Sequence, residues 1–450
     1  MTARLIIAAP STGQGKTTVA TGLMAALTRR GLKVQGFKSG PDYIDPTFHT
    51  AATGRPSRNL DTWMMGEDLV LESFERATRG ADIAIIEGVM GMFDGYGGTD
   101  DAGSAAHLAR LLNAPVLLVV DGWAMARSAA ALVHGFATFD RRVKVAGVVM
   151  NNLAGEGHYR FVREAMEGSG VPLVGWLRKE PALALPERHL GLVPGCGPGH
   201  LERLAAAMEA GLDLEAVVAM ARNAGQLPGP RRRVFPPAAP AGERLRLAVA
   251  RDAAFWLYYQ DSLDYLEALG AELLPFSPIE DPAPPDGAQA IYLGGGYPEL
   301  HLEALAANRP MLHRMGQTTI PLYAECGGLM YLAEAIRDRE GRSYPMAGRL
   351  PAEATMEGGG LRLGYATATA ACDHLLARAG EVVRGHEFHA SGLTAAPDRP
   401  AWSCRNSFGD HHPEGFALPG ILASYLHLHL PANPTAAKRF IDAARLCNPA

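Results

Sequence analysis

An α/β fold in two consecutive domains is predicted by three features of the chain. Short apolar runs alternate with stretches whose apolar residues recur at helical spacing, the pattern of mostly parallel sheets covered on both faces. A proline- and glycine-rich segment at 227–243 interrupts the alternation, which then restarts. A glycine-rich turn opens the first half and a Cys-Gly-Gly turn lies in the second, each between an apolar run and a helix-like stretch. A length of 450 residues suits two domains of ordinary size, at 1–226 and 244–450.

In the first domain the apolar runs predict strands at 5–9, 33–37, 83–87, 116–121 and 145–150, with helices at 17–30 and 102–112 between them. Residues 227–242 hold five prolines and two glycines, which can sustain neither a helix nor a central strand, so the segment reads as a linker. The second domain repeats the alternation, with strands at 245–250, 288–293 and 319–324 and a helix at 260–269.

Composition removes several classes of function. The residues are 48% hydrophobic and 20% charged, as expected of a soluble globular protein with full cores. A net charge of -5 with no long basic run points away from nucleic acid and anionic membranes. The five cysteines, at 196, 326, 372, 404 and 447, form no Cys-x-x-Cys pair, so neither a zinc site nor a disulfide framework is expected and a reducing cytoplasm fits. The first apolar run is too short for a signal peptide, and none approaches the ~20 residues of a membrane span.

The first glycine-rich turn reads Pro10-Ser-Thr-Gly13-Gln-Gly15-Lys16-Thr17-Thr18 between a strand and a helix. It is close to the Walker A pattern, in which backbone N–H groups at a helix N-terminus cradle phosphates. Gly13, Gly15 and Thr18 fall in that cradle, Lys16 would neutralise phosphate charge, and Thr17 would hold magnesium. Pro10 departs from the pattern, because proline has no N–H to give. Glu87 ends an apolar strand as a second metal-binding residue should. Asp42, Asp45 and Asp94 follow strands whose ends gather at one edge of a parallel sheet. There they would bind magnesium or substrate, or else cap helices and turns. Asn151, after another strand, suits either an adenine edge or a turn.

The second turn, Ala324-Glu325-Cys326-Gly327-Gly328, is a nucleophile elbow with sulfur as the nucleophile. A helix N-terminus behind it is expected to lower the thiol pKa. Backbone N–H groups of Gly327, and of Gly295 and Gly296 after another strand, would form an oxyanion hole. The base would be His427 or His429, about 100 residues downstream. The run His386-Glu387-Phe388-His389 is expected as a strand end near the same site, and His411-His412 as a solvated loop.

These residues together resemble the cobyrinic acid a,c-diamide synthase family and its hydrogenobyrinic acid counterpart. The likeness rests on the runs at 9–17, 37–43 and 87–95, on Leu185-Pro-Glu-Arg-His189, on Gly294-Gly-Gly-Tyr-Pro-Glu299, on the Cys326 elbow and on Ser424-Tyr-Leu-His427. It covers almost the whole chain, and Pro10 is usual for it. It implies a dethiobiotin-synthetase-like P-loop domain followed by a class I glutamine amidotransferase domain. It also implies ATP as co-substrate, Mg2+ held by Thr17, Glu87 and Asp42, and a corrin or related tetrapyrrole carboxylate as acceptor. ATP would activate that carboxylate as an acyl phosphate, and L-glutamine would supply the ammonia. Lys38, Asp42, Tyr43, Asp45 and Asp94 would meet substrate, Cys326 would be the nucleophile and His427 its activator. Partners would be small molecules alone, with a homodimer left open. The carboxylate usual after the histidine is missing, since Leu428 and His429 follow. Cobyric acid synthase and the nickel-sirohydrochlorin a,c-diamide synthase are nearby alternatives. A ParA/MinD-type switch ATPase is a distant one, against which Ser11 stands where those proteins carry lysine.

Overall fold

The computed structural model describes residues 2–185, 196–237, 242–358 and 360–447. The Pro-Glu-Arg-His run beyond Leu185 lies outside the described residues. The chain forms two compact units, Met1–Arg233 and Val234–Ala450.

The first unit alternates strands and helices. Its strands are β1 (Ala3–Ala8), β2 (Val34–Ser39), β3 (Arg58–Leu60), β4 (Ile83–Glu87), β5 (Val116–Asp121), β6 (Val145–Leu153) and β7 (Leu173–Arg178). Its helices are α1 (Lys16–Arg29), α2 (Asp45–Thr53), α3 (Glu67–Ala77), α4 (Ala105–Leu111), α5 (Arg127–Phe139), α6 (Glu156–Met166), α7 (Pro198–Gly211) and α8 (Leu214–Arg222). The seven strands form one sheet in the order β3-β2-β4-β1-β5-β6-β7, and every neighbouring pair is parallel. β1 and β4 are apolar almost throughout because both faces are covered. Leu5, Ile7, Val19, Leu23, Ile85 and Val217 share one core. Gly22 brings α1 close to α7, where an added Cβ would stand 2.8 Å from Met208.

The second unit contains β8 (Leu245–Ala250), β9 (Phe255–Leu257), α9 (Gln260–Ala268), β10 (Ala271–Phe276), β11 (Ala290–Leu293) and β12 (Gly295–Gly296). α10 (Leu302–Ala307), α11 (Arg309–Gln317), β13 (Leu322–Glu325) and α12 (Gly327–Leu332) follow. Then come β14 (Ala335–Arg337), β15 (Ser343–Pro345), β16 (Ala354–Thr355), β17 (Arg362–Ala370), β18 (Val382–His389) and β19 (Gly392–Leu393). The unit closes with β20 (Pro400–Asn406), β21 (His411–Leu418), β22 (Ile421–Ser424), β23 (Leu426–Leu428) and α13 (Pro434–Arg445). Ten strands form one sheet, β10-β8-β11-β13-β22-β21-β20-β17-β18-β23. The first five run parallel and the rest are joined antiparallel. This antiparallel arm is the main departure from the expected alternation of strands and helices. It corrects the loop expected at His411-His412, because His411 begins β21 and pairs with Arg405. β22 and β23 are separated only by Tyr425, yet they occupy positions five places apart in the sheet.

Candidate functional site

The phosphate loop joins β1 to α1. Gly13 and Gly15 hold φ of 84° and 91°, the left-handed region that glycine enters without strain. Gly15 also has no room for a side chain, since a Cβ there would stand 2.1 Å from Asn151 Nδ2. Asn151 Nδ2 donates to Gln14 O at 2.9 Å, and Gln14 Oε1 accepts from Asp121 N at 2.8 Å. The ends of β5 and β6 thus pin the loop. Asn151 thus gives one amide N–H to the loop backbone. Lys16 Nζ donates to Ser11 O and to Met90 O, spanning the loop. Thr18 lies half-buried on the first turn of α1. The backbone over Met90–Met92 docks on the loop, with Met92 N donating to Ala9 O at 2.8 Å.

Behind the loop is a buried charge cluster built on Glu87, the last residue of β4. Its Oε1 accepts from Thr17 Oγ1 at 2.7 Å and from Lys38 Nζ at 2.8 Å, and its Oε2 lies 2.7 Å from His49 Nε2. Lys38 also reaches Asp45 Oδ2 at 2.6 Å. Burial pushes the Glu87 carboxyl up, but Lys38 and His49 outweigh it and hold the group well below the usual carboxylate range. The side chains of Lys38 and Asp45 are 3% and 0% exposed, and Tyr43 is 6% exposed. Lys38 and Asp45 thus brace Glu87 from the buried side of the loop. Asp42 is half-buried, and its Oδ1 accepts from Ile44 N and Asp45 N, so it caps the turn into α2. Asp94 is exposed, with Oδ2 accepting from Gly91 N at 2.9 Å. His49 is not among the residues the sequence reading marks; its signal is the four-residue spacing from Asp45, which puts both on one face of α2.

Thr17 and Glu87 offer a hydroxyl and a carboxylate oxygen side by side, the hard donors magnesium takes. Among the described residues no group of three or more His, Cys, Asp or Glu is arranged to hold a metal. Nucleotide magnesium does not need one, since phosphates and water fill most of its positions. No helix among the described residues is long and apolar enough to cross a membrane.

The thiol site is in the second unit. Cys326 stands between β13 and α12 with φ 48° and ψ -104°, a strained conformation costing on the order of 1–3 kcal/mol. The strain is held by close packing behind it. A Cβ on Gly328 would meet Leu293 O at 2.5 Å, and one on Gly327 would meet Gly296 N at 3.0 Å. Cys326 N donates to Ser424 O at 2.8 Å, and its Sγ lies 3.6 Å from Phe388 O in β18. The His386–His389 run thus borders the thiol, at the end of a strand as expected. His389 stacks on Tyr425 with centroids 3.8 Å apart.

Burial pushes the Cys326 thiol up, the nearby Glu299 carboxylate adds to this, and the Gly327 N–H only partly opposes it. The expected lowering by a helix N-terminus is thereby corrected: α12 has six residues, and desolvation of the sulfur wins. Burial likewise raises the Glu299 carboxyl to about 7. Gly295 and Gly296 form β12, paired with β9. Gly296 lies so close to Ala254 O that no side chain fits.

His427 is fully buried in β23. A Cβ on Gly295 would stand 2.7 Å from its Cε1, and its Nδ1 lies 3.4 Å from Glu325 Oε2. Both neighbours flank the elbow. His429 instead faces Asp261, 3.9 Å away, and Tyr259, with ring centroids 5.4 Å apart. Of the two candidate histidines, His427 is the one beside the elbow. Glu325 is not among the site residues the sequence reading marks; its signal is a carboxylate at the end of an apolar strand, one residue before the thiol.

Comparison with known proteins covers both units. Residues 5–193 match the CobQ/CobB/MinD/ParA nucleotide binding domain, and residues 246–435 match the CobB/CobQ-like glutamine amidotransferase domain. The chain is 43% identical over 455 residues to a cobyrinate a,c-diamide synthase of Dehalococcoides mccartyi, covering 98% of both chains. It is 43% identical over 481 residues to a hydrogenobyrinate a,c-diamide synthase of Streptomyces coelicolor, covering 98% of this chain and 97% of that one. A cobyrinate a,c-diamide synthase of a Synechococcus species is 42% identical, with 98% of each covered.

Proposed function

The chain belongs to the family of cobyrinate and hydrogenobyrinate a,c-diamide synthases, and we propose that it amidates the a- and c-carboxylates of one of these corrins, with ATP and glutamine, in cobalamin biosynthesis. The observation that carries this is the presence, in one chain with full-length relatives of that activity, of a phosphate loop and a strained thiol elbow.

A carboxylate does not react with ammonia, because its oxygen leaves poorly. In the first unit the γ-phosphoryl group of ATP passes to the substrate carboxylate, giving an acyl phosphate and ADP. Gly13, Gly15 and Thr18 bring backbone N–H groups to the phosphates, and Lys16 neutralises them. Thr17 and Glu87 would hold Mg2+, which screens phosphate charge. Lys38, His49 and Asp45 keep Glu87 in place. Asp42 and Asp94, nearer solvent, suit contact with the acceptor.

In the second unit the Cys326 proton passes to His427 and sulfur attacks the glutamine carboxamide carbon. Backbone N–H groups of Gly295, Gly296 and Gly327 would receive the developing oxyanion. The C–N bond breaks, His427 returns the proton to the leaving ammonia, and water resolves the thioester to glutamate. With its thiol pushed up by burial, Cys326 rests as the thiol until its proton passes to His427. Five free cysteines suit a reducing cytoplasm.

The test offers cobyrinate, hydrogenobyrinate and nickel-sirohydrochlorin in turn with ATP, Mg2+ and glutamine, with mass spectrometry of each product. Two amides gained on a corrin support the assignment. Two gained only on nickel-sirohydrochlorin would move the enzyme to that substrate, and ATP turnover with no amide would overturn the ligase reading.

A further inference from the structure

The carboxylate that normally follows the histidine in such sites is absent, and the geometry points to a replacement from the other direction. We propose that Glu325, the residue immediately before the nucleophile, is the positioning carboxylate of His427, so that one strand end carries both the sulfur and the acid that orients its base. This rests on the reading of Cys326 and His427 as the glutaminase pair.

Four contacts meet on the Glu325 carboxylate. Oε2 faces His427 Nδ1 at 3.4 Å and accepts from Tyr292 Oη at 3.1 Å. Oε1 accepts from Leu428 N at 3.1 Å and from Tyr323 Oη. The Leu428 bond matters most for position, because it ties the backbone next to His427 to the strand that ends at Cys326. It also bridges sequence positions 103 residues apart. The side chain of Glu325 is 1% exposed and that of His427 0%, so water does not compete for these partners. Strand alternation explains the arrangement. Tyr323 and Glu325 point to the same face of β13, and Tyr292, opposite Tyr323 in the register of β11, stacks on it at 5.1 Å. The two tyrosine hydroxyls are pushed well above their ordinary range by burial and by the Glu325 carboxylate, so they stay protonated donors.

An acid on Nδ1 leaves Nε2 as the atom that handles the proton of sulfur, and it stabilises the imidazolium formed when that proton arrives. The 3.4 Å separation is at the long end for a hydrogen bond. Catalytic contacts of this kind commonly shorten when substrate fills the site. His429, at the position of the missing carboxylate, is turned towards Asp261 and takes no part.

The test measures glutamine-dependent and ammonia-dependent amide formation in the full-length chain, against pH, for Glu325→Gln, Glu325→Asp, Cys326→Ser and His427→Ala. Glu325→Gln is expected to lower the glutamine-dependent kcat by roughly a hundredfold or more, with KM for glutamine little changed and the acidic limb of the pH profile displaced. Glu325→Asp should recover part of the rate, and ammonia-dependent synthesis should persist. In the His427→Ala background, adding Glu325→Gln should cost little more, because both act through one ring. If Glu325→Gln fails to fold, Tyr292→Phe loosens the same oxygen and should lower the glutamine-dependent kcat several-fold; an unchanged rate there overturns the proposal. A wild-type rate and pH profile in Glu325→Gln, with Cys326→Ser inactive towards glutamine, also overturns it. Glutamine use surviving in Cys326→Ser would instead sink the underlying pair.

Discussion

At the scale of single residues, the two units hold their charges in different ways. In the first, Lys38 is buried between Asp45 and Glu87 and is the cation they share, with His49 also against Glu87. Removing it leaves two carboxylates without their shared cation. Lys38→Met is therefore expected to destabilise the first unit by about 3–5 kcal/mol, read as a lower denaturant midpoint for its unfolding. In the second unit the central group is kept neutral. Because burial and Glu299 push the Cys326 thiol up, its alkylation by iodoacetamide without glutamine should still be accelerating at about pH 10, beyond the ordinary thiol range near ~8.5. Peptide mass mapping separates Cys326 from the other four cysteines. A plateau near neutral pH would mean a resting thiolate.

Turns and strands set the next scale. Gly295 is required for clearance, because its hydrogen stands where a Cβ would press on His427 Cε1 at 2.7 Å. Gly295→Ala should displace the imidazole and lower glutamine-dependent turnover by roughly 10- to 100-fold, while ammonia-dependent synthesis continues. Glu414 performs a bracing role nearby. Its carboxylate accepts from Ser424 Oγ and from Tyr425 N, at the corner between β22 and β23 that leads to His427. Burial, only partly opposed by these donors, raises its carboxyl to about 7. A carboxyl raised in the folded state contributes stability that is full below its unfolded pKa of ~4.3 and is lost as pH rises through about 7. Glu414→Gln should thus flatten the fall in stability between about pH 4 and 7, by on the order of 3 kcal/mol. Chemical denaturation across that range reads the difference.

What the sequence disclosed also divides at this scale. The phosphate loop and the thiol elbow were legible because each is contiguous: strand, glycines and helix lie within a dozen residues, and local sterics demand them. The antiparallel arm was not. β17 reads Arg-Leu-Gly-Tyr-Ala-Thr-Ala-Thr-Ala, an alternation of small residues whose weak apolar signal does not distinguish a strand from a loop. The partners of Glu87 and Glu325 were hidden for another reason. His49 is 38 residues from Glu87 and His427 is 102 from Glu325, and only the tertiary packing of α2 on the first sheet and of β23 beside the end of β13 brings them together. The pairing of Lys38 with Asp45 and Glu87 was hidden in the same way, since a charged residue near a strand end can point to the interior when a neighbouring element supplies its counter-ion.

For the whole molecule, each unit accounts for half of an amide-forming reaction and neither half suffices. ATP activates an acid but supplies no nitrogen, and glutaminase chemistry supplies nitrogen that an unactivated carboxylate refuses. Lys16→Ala should abolish ATP turnover and amide formation while leaving Cys326 open to glutamine-dependent alkylation protection. The most direct test of the joined account follows the nitrogen. Purified protein is given ATP, Mg2+, a corrin diacid acceptor and glutamine labelled with 15N at its amide, in a background of unlabelled ammonium low enough not to compete. The account predicts a product carrying two 15N amides, with the label lost in Cys326→Ser and unlabelled amides restored to that variant when excess ammonium is added. A product whose amides carry no 15N, or ATP turnover with no amide at all, would contradict it.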